Sequence, residues 1–218
     1  MSKYDAIADK LGNEILEKSQ KVIGITGTSC IGKSTLTDIL KQKLEIEFSV
    51  TVIDVDSYLK EEIRGGKSYW NRCSEYLKPM YFDWEALSLD LNKLKDGRSV
   101  EKQLYQRGNG WSGKVIYQPA DYYIVEGLFL DSVEAAKYVA YDKMIALTAP
   151  DEYIYDMRVK RDEFYRQNFK EFTRTAEETI KEIESTLKAG KAYSVCRSKC
   201  PRTEIFVQET CCTEITGE

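Results

Sequence analysis

Apolar residues recur every three to four positions near the start of the chain, at Tyr4, Ile7, Leu11, Ile15 and Leu16. That period predicts an amphipathic helix over 4–18 with one buried stripe. The pattern then changes. "KVIGIT" (21–26) is a short apolar run and predicts a strand, while "KSTLTDILKQKL" (33–44) returns to helical spacing through Leu36, Ile39, Leu40 and Leu44. "SVTVIDV" (49–55) is β-branched and mostly apolar, as expected of a strand covered on both faces. Residues 60–80 are polar and contain glycine, which predicts a mobile loop. "DWEALSLDLNKLKDG" (83–97) predicts a helix ended by Gly97. "YYIVEGLFL" (122–130) predicts a third strand, and "YDKMIALTA" (141–149) contains a fourth. Charged helices are predicted over 150–169 and 175–190, the second stopped at Gly190. "EIFVQE" (204–209) predicts a last strand. Strands alternating with helices imply a mainly parallel sheet with helices on both faces. No linker divides the chain, so 1–218 is expected to form one α/β domain.

Composition narrows the function classes. The chain has 218 residues, 42% hydrophobic and 31% charged, with a formal net charge of −4. A nucleic-acid footprint would call for a basic domain. No apolar run approaches the length of a membrane span. The first twenty residues are charged throughout and lack the apolar core of a leader. A cytoplasmic protein without nucleic-acid or membrane partners is therefore expected. The chain has no histidine, which removes histidine triads and histidine-ligated metals. Of six cysteines, four lie late: Cys196, Cys200, Cys211 and Cys212. Their spacing lacks the usual zinc C-x2-C, so free thiols are expected.

The candidate chemistry starts at 27–34. Gly27, Thr28, Ser29, Cys30, Ile31, Gly32, Lys33 and Ser34 fit G-x-x-x-x-G-K-S/T at every fixed position. A strand is predicted before the loop and a helix after it, the context a phosphate loop requires. The glycines let backbone N–H groups turn inward toward phosphate oxygens, and the helix N-terminus adds partial positive charge. Lys33 is expected on the β- and γ-phosphates and Ser34 on Mg²⁺, with Thr35 completing the nucleotide site. Cys30 is expected to be a reactive thiol. Two near-matches fail. "GNGWSGKV" (108–115) has Val115 where Ser or Thr is needed and is followed by an extended run, so it predicts a hairpin or substrate loop. "NKLKD" (92–96) approaches the guanine-reading N-K-x-D, but its Asp96 comes one residue late, inside a predicted helix.

Once a γ-phosphate is held, its transfer to a hydroxyl also needs a Mg²⁺ partner, a base for the acceptor hydroxyl and cations for the developing charge. Glu126 ends the third strand, where carboxylates face the crevice beyond the strand ends. Asp54 and Asp56 end the second strand, and strict alternation would aim both to one side. Asp56, further along, is expected to meet the acceptor, while Asp54, deeper, is expected to support the Mg²⁺ water shell or a loop. Arg158, Arg161 and Arg166 lie on the charged helix over 150–169, where a solvated face is the default for such a run.

In this order the motifs resemble the uridine kinase and phosphoribulokinase family of P-loop kinases. "DSYL" (56–59) resembles that family's D-S-F-Y, which implies Asp56 as catalytic base with Tyr58 beside the acceptor. "YFDWEAL" (81–87) resembles N-F-D-H-P-D-A, which implies Asp83 on ribose hydroxyls. "YQPADYYIVEGLFL" (117–130) resembles the segment carrying the Mg²⁺-linked Glu, which falls on Glu126. "MRVKRDEFYR" (157–166) resembles the family's R-R-V-x-R-D lid, which implies Arg158 and Arg161 in catalysis, Arg158 also on the acceptor, and Arg166 on the nucleotide. Tyr105 matches the Tyr of the family's Tyr-Asp-Phe, which precedes a base-contacting His and implies Tyr105 on the acceptor; here Gln106 replaces the Asp and the chain has no His. The resemblance spans about 21–170. It implies a P-loop NTPase-like three-layer fold with a helical lid (150–175), an acceptor-binding insertion (60–120), ATP and Mg²⁺, and a small-molecule hydroxyl acceptor. A pyrimidine ribonucleoside comes first. Another small alcohol, a sugar phosphate, or a non-catalytic nucleotide-binding regulator stay open, as does a homo-oligomer.

Overall fold

The computed structural model describes residues 3–60, 78–106, 110–168, 175–193, 200–208 and 212–215. Helix α1 (Asp5–Glu17) precedes strand β1 (Val22–Gly27), and α2 (Lys33–Leu44) follows it. Strand β2 (Val50–Asp54) runs directly into a 3-10 turn, Val55–Tyr58. A second 3-10 turn, Pro79–Tyr81, leads to α3 (Trp84–Lys95) and then to the strands β3 (Val100–Gln106) and β4 (Gly110–Tyr117). Then come β5 (Tyr122–Glu126), the single-turn α4 (Val133–Ala136), β6 (Lys143–Thr148) and α5 (Asp151–Asn168). The described chain ends with α6 (Ala176–Tyr193), β7 (Arg202–Val207) and β8 (Cys212–Ile215). Most of the predicted 60–80 loop, residues 61–77, lies outside the described residues.

The central sheet has the order β2-β5-β1-β6-β7-β8. Its first five strands are parallel and β8 is antiparallel to β7. Alternation along the buried strands sends side chains to two cores. Tyr123 and Val125 join one, Tyr122 and Ile124 the other. The helical stripes read from the sequence cover one face: Ile7, Leu11 and Ile15 of α1 and Leu36, Leu40 and Leu44 of α2 pack on Ile23, Ile25 and Ile145. Burying each such side chain contributes roughly 1.5–3 kcal/mol. On the other face, Leu87, Leu91 and Leu94 of α3 pack with Tyr58, Phe82 and Val125. This is the expected α/β architecture, with helices on both faces of a mainly parallel sheet. No described helix is long and apolar enough to cross a membrane.

Three local expectations need correction. Gly190 does not stop its helix, because α6 continues to Tyr193. An interior glycine costs a helix about 1 kcal/mol relative to alanine, which is little over such a length. Strands β3 and β8 were not anticipated, although the hairpin over 108–115 was: β3 and β4 pair as a separate two-stranded sheet. Asp54 and Asp56 are not related by strand alternation, because the chain leaves β2 at Asp54 and coils into the 3-10 turn. Of the late cysteines, Cys200 packs against the core containing Tyr141 and Cys212 against the core containing Tyr4, on opposite faces of the sheet. Cys196 and Cys211 lie outside the described residues.

Candidate active site

The phosphate loop forms where β1 meets α2. Gly27 has φ +140°, and a Cβ there would fall 2.6 Å from the carbonyl oxygen of Leu147, so a side chain cannot be accommodated. Cys30 (φ +64°) and Gly32 (φ +100°) bring the chain twice into the left-handed region. Such turns make successive N–H groups converge into an anion-binding concavity. Gly32 occupies the N-cap of α2 and offers no side-chain cap, which leaves the first-turn N–H groups for an anion. Lys33 is buried, and its Nζ donates to the Thr28 carbonyl at 3.0 Å. Ser34 and Thr35 lie exposed on the first turn of α2. Cys30 is partly buried, with its Sγ 3.9 Å from Ser29 Oγ. Alkylating Cys30 is expected to block nucleotide binding, and Mg·ATP is expected to protect the thiol. Peptide mass spectrometry with and without Mg·ATP checks this, and equal labelling in both samples counts against it.

The sheet carries Glu126 to this loop. β5 lies beside β1, and Ser34 Oγ donates to Glu126 Oε2 at 3.0 Å across 92 residues of sequence. Glu126 is 7% exposed, and its Oε1 is buried with no hydrogen-bond partner. A buried carboxylate oxygen without a partner is costly unless a cation or donor completes it. On the neighbouring strand Asp54 stands in register with Glu126. One hydroxyl and one or two carboxylates suit Mg²⁺, which keeps several waters and takes its other ligands from phosphates. The donor set therefore fits the expected ion at Ser34 and Glu126. Asp54 is adjacent, but its Oδ1 accepts from the N–H of Asp56 at 2.9 Å and so caps the 3-10 turn.

That turn fixes the positions of Asp56 and its neighbours. Asp56 is the more buried of the two carboxylates, at 9% exposed, whereas Asp54 is only partly buried. The expected order of depth is thus reversed, because the 3-10 turn folds Asp56 back onto the domain. Asp83 joins the same region: its N–H donates to the Tyr58 carbonyl at 2.7 Å, and Leu59 and Phe82 form an isolated bridge. Asp83 Oδ1 accepts from the N–H of Ala86 at 2.9 Å, capping α3. Asp83 also lines a cavity of about 550 Å³ with Lys60, Trp84 and Lys137. Tyr58, expected beside the acceptor, instead points into the core. It is fully buried in the core, with its hydroxyl donating to Asp90 Oδ2 at 3.3 Å and Lys102 Nζ 4.0 Å from the ring centre. Burial, with Asp90 beside it, pushes that hydroxyl well above its ordinary pKa and keeps it a donor. The side chain of Tyr105 lies outside the described part of the structure.

The arginines separate. Arg161 Nη1 donates to Ser29 Oγ at 3.0 Å, so α5 reaches the phosphate loop. Its Nε and Nη2 both donate to Asp162 Oδ1, and Thr179 Oγ1 of α6 donates to Asp162 Oδ2 at 3.0 Å. The fully buried Asp162 therefore orients Arg161. Arg158 is buried and lines a narrow gap with Ser29, Ile183 and Leu187. Arg166 goes elsewhere: its Nη1 donates to Thr179 Oγ1 at 3.3 Å, tying α5 to α6. Five residues beyond Arg161 is about 140° round a helix, too far to share its face.

Two features escaped the sequence reading. Asp90 accepts from Tyr58, Lys93 and Lys102, binding α3, the 3-10 turn and the hairpin together. A carboxylate on the stripe of Leu87, Leu91 and Leu94 was the available signal. The second is a cavity of about 240 Å³ beside the loop, lined by Gly27, Thr28, Phe129, Asp131, Ile154 and Arg202. Arg202 Nη1 donates to Asp131 Oδ2 at 3.0 Å on its wall. Nothing in the local sequence pairs these two residues.

Residues 22–215 match the phosphoribulokinase / uridine kinase family. The uridine kinase of Macrococcus caseolyticus is 33% identical over 111 residues, covering 50% of this chain and 52% of that protein. The chain thus spans about half the length of the curated relatives it matches. The structure of a possible uridine kinase from Bacillus stearothermophilus superposes with a TM-score of 0.50 at 26% identity, over 78% of this chain and 95% of the other. D-glycerate 3-kinase from Cryptococcus neoformans shares the fold more fully, with a TM-score of 0.68 at 13% identity, covering 96% and 99% of the two chains. With a phosphate loop joined to a strand-end carboxylate, and a family match over nearly the whole chain, this protein belongs to the phosphoribulokinase / uridine kinase family.

Proposed function

We propose that this protein is an ATP-dependent phosphotransferase that moves the γ-phosphate to a hydroxyl of a small metabolite, with a pyrimidine ribonucleoside as the first acceptor. The observation that carries this reading is the Ser34–Glu126 pair beside Lys33, with Glu126 Oε1 buried and unpartnered. Family membership and the uridine kinase relatives support it. In this reading the N–H groups of 27–34 and Lys33 hold the phosphates. Ser34 and Glu126, with Asp54 adjacent, would hold Mg²⁺, which neutralises phosphate charge when bound. Asp56 orients the acceptor hydroxyl and accepts its proton, and Arg158 and Arg161 stabilise the charge that develops on the transferred group. Residues 60–120 would form the acceptor-binding insertion and 150–175 the lid of one domain. A cytoplasmic setting, without a nucleic-acid or membrane partner, belongs to the same reading.

Asp83 decides between acceptors. With Oδ1 on the helix cap, Oδ2 can still accept from a sugar hydroxyl. A site built to pair with a hydroxyl rejects the analogue lacking it, because its own polar group is then stranded. Uridine is therefore expected to be turned over well ahead of 2′-deoxyuridine in steady-state kinetics. The second reading, a kinase for another small alcohol or sugar phosphate, draws on the absence of histidine and on Gln106 in the acceptor segment. An ATP-consumption screen across nucleosides, sugar phosphates and vitamin alcohols tests both. No turnover of either nucleoside, with brisk turnover of a non-nucleoside alcohol, selects the second.

A further inference from the structure

The segment before residue 22 lies outside the family match, yet it touches the phosphate loop. Tyr4, immediately before α1, is 3% exposed, and its hydroxyl donates to the carbonyl of Ile31 at 2.8 Å. Ile31 is fully buried and sits between the two left-handed residues of the loop, Cys30 and Gly32. The hydroxyl occupies the space a side chain at position 32 would take: a Cβ on Gly32 would lie 1.8 Å from it. The ring edge also lies against Gly32, with Cζ 2.7 Å from that Cβ position, and the hydroxyl is the part that bonds the loop.

The anchorage of this tyrosine is extensive. Ile7, Leu11 and Ile15 bury α1 in the sheet core, and the buried Lys143 donates to Glu14 at 2.7 Å. Lys10 pairs with Glu214 and Lys43 with Asp9. Lys3 reaches Tyr153 Oη at 2.8 Å and the Gln208 carbonyl at 2.6 Å. Burial and the neighbouring Cys212 raise the pKa of the Tyr4 hydroxyl, so it remains a donor at neutral pH.

We propose that Tyr4 is a positioning residue for nucleotide binding: by holding the Ile31 carbonyl outward, it keeps Cys30 and Gly32 in the conformation that turns the loop N–H groups toward phosphate. This rests on the nucleotide reading of the loop given above. A peptide unit whose carbonyl is fixed on one side presents its N–H on the other, so the bond preorganises the concavity.

The test is Tyr4→Phe, which keeps the ring and removes the hydroxyl. Mg·ADP binding by calorimetry is expected to weaken about fivefold, the equivalent of one neutral hydrogen bond. Amide exchange within 27–34 is expected to quicken, while the melting temperature and exchange in α2 and β5 stay near wild type. Equal Mg·ADP affinity in both proteins, or faster exchange spread over the whole chain with a lowered melting temperature, overturns the proposal. Wild-type protein that binds no Mg·ADP overturns the nucleotide reading itself, and the proposal with it.

Discussion

Replacing Asp56 with Asn is expected to lower kcat by about 10²–10⁴ while leaving ATP affinity nearly intact. The amide keeps the shape of the carboxylate but cannot take the acceptor's proton. The 3-10 turn makes the comparison with Asp54 informative. Asp54 Oδ1 caps the turn through the N–H of Asp56, and an asparagine there retains an oxygen that can accept that bond. Asp54→Asn therefore removes charge from the neighbourhood of Glu126 without unwinding the segment that presents Asp56. It is expected to weaken the Mg²⁺ dependence mainly, with a smaller loss of kcat. Turnover, ATP affinity and a Mg²⁺ titration on both variants check this. A full-speed Asp56→Asn enzyme would place the base elsewhere, with Asp54 next.

Lys33→Ala is expected to cost about 2.7–4 kcal/mol of transition-state stabilisation, or roughly 10²–10³ in rate. Lys33 is buried at the head of α2, and its ammonium bonds the Thr28 carbonyl across the loop. A phosphate seated in the loop would meet that charge in a partly dehydrated setting, where it acts more strongly than in water. Part of the loss could come from the loop itself, so the melting temperature is measured alongside turnover. A variant that folds normally and retains more than half the wild-type rate would overturn the nucleotide-site assignment.

What could be read from the sequence was local or followed from strand ends. Residues 27–34 were legible because the motif, the preceding apolar strand and the following helical stripe lie side by side. Glu126 was legible because a carboxylate closing a buried parallel strand has one crevice to enter, and the structure places it on Ser34. Tyr58 was misplaced for the opposite reason. Its position followed from a motif read as strand and loop, whereas the 3-10 turn rotates it into the core and hands its hydroxyl to Asp90. Arg166 was assigned to the nucleotide by the lid motif, but helical phase, which sets it apart from Arg158 and Arg161, sends it to Thr179. β3 was missed because "VEKQLYQ" shows no clean apolar face. Among the described residues it pairs only with β4, outside the main sheet, where burial leaves little imprint on composition. Tyr4 was seen as one more member of an apolar stripe. Which atom its hydroxyl meets is a tertiary fact that no helical period encodes.

The meeting of α1 with β8 bears on when this protein becomes competent during folding. Lys3 with Gln208 and Lys10 with Glu214 join residues 205 and 204 positions apart. Contacts of such separation carry the largest loop-closure cost and form late. Helix α1 and the strand, loop and helix of 22–44 are synthesised long before the late segment that ties α1 down. The anchorage of α1, and with it of Tyr4 on the loop, is thus expected to be complete only once β7 and β8 are in place. Nascent chains stalled before β7 are expected to hold the secondary structure of the loop region yet to lack the native protection of its amides.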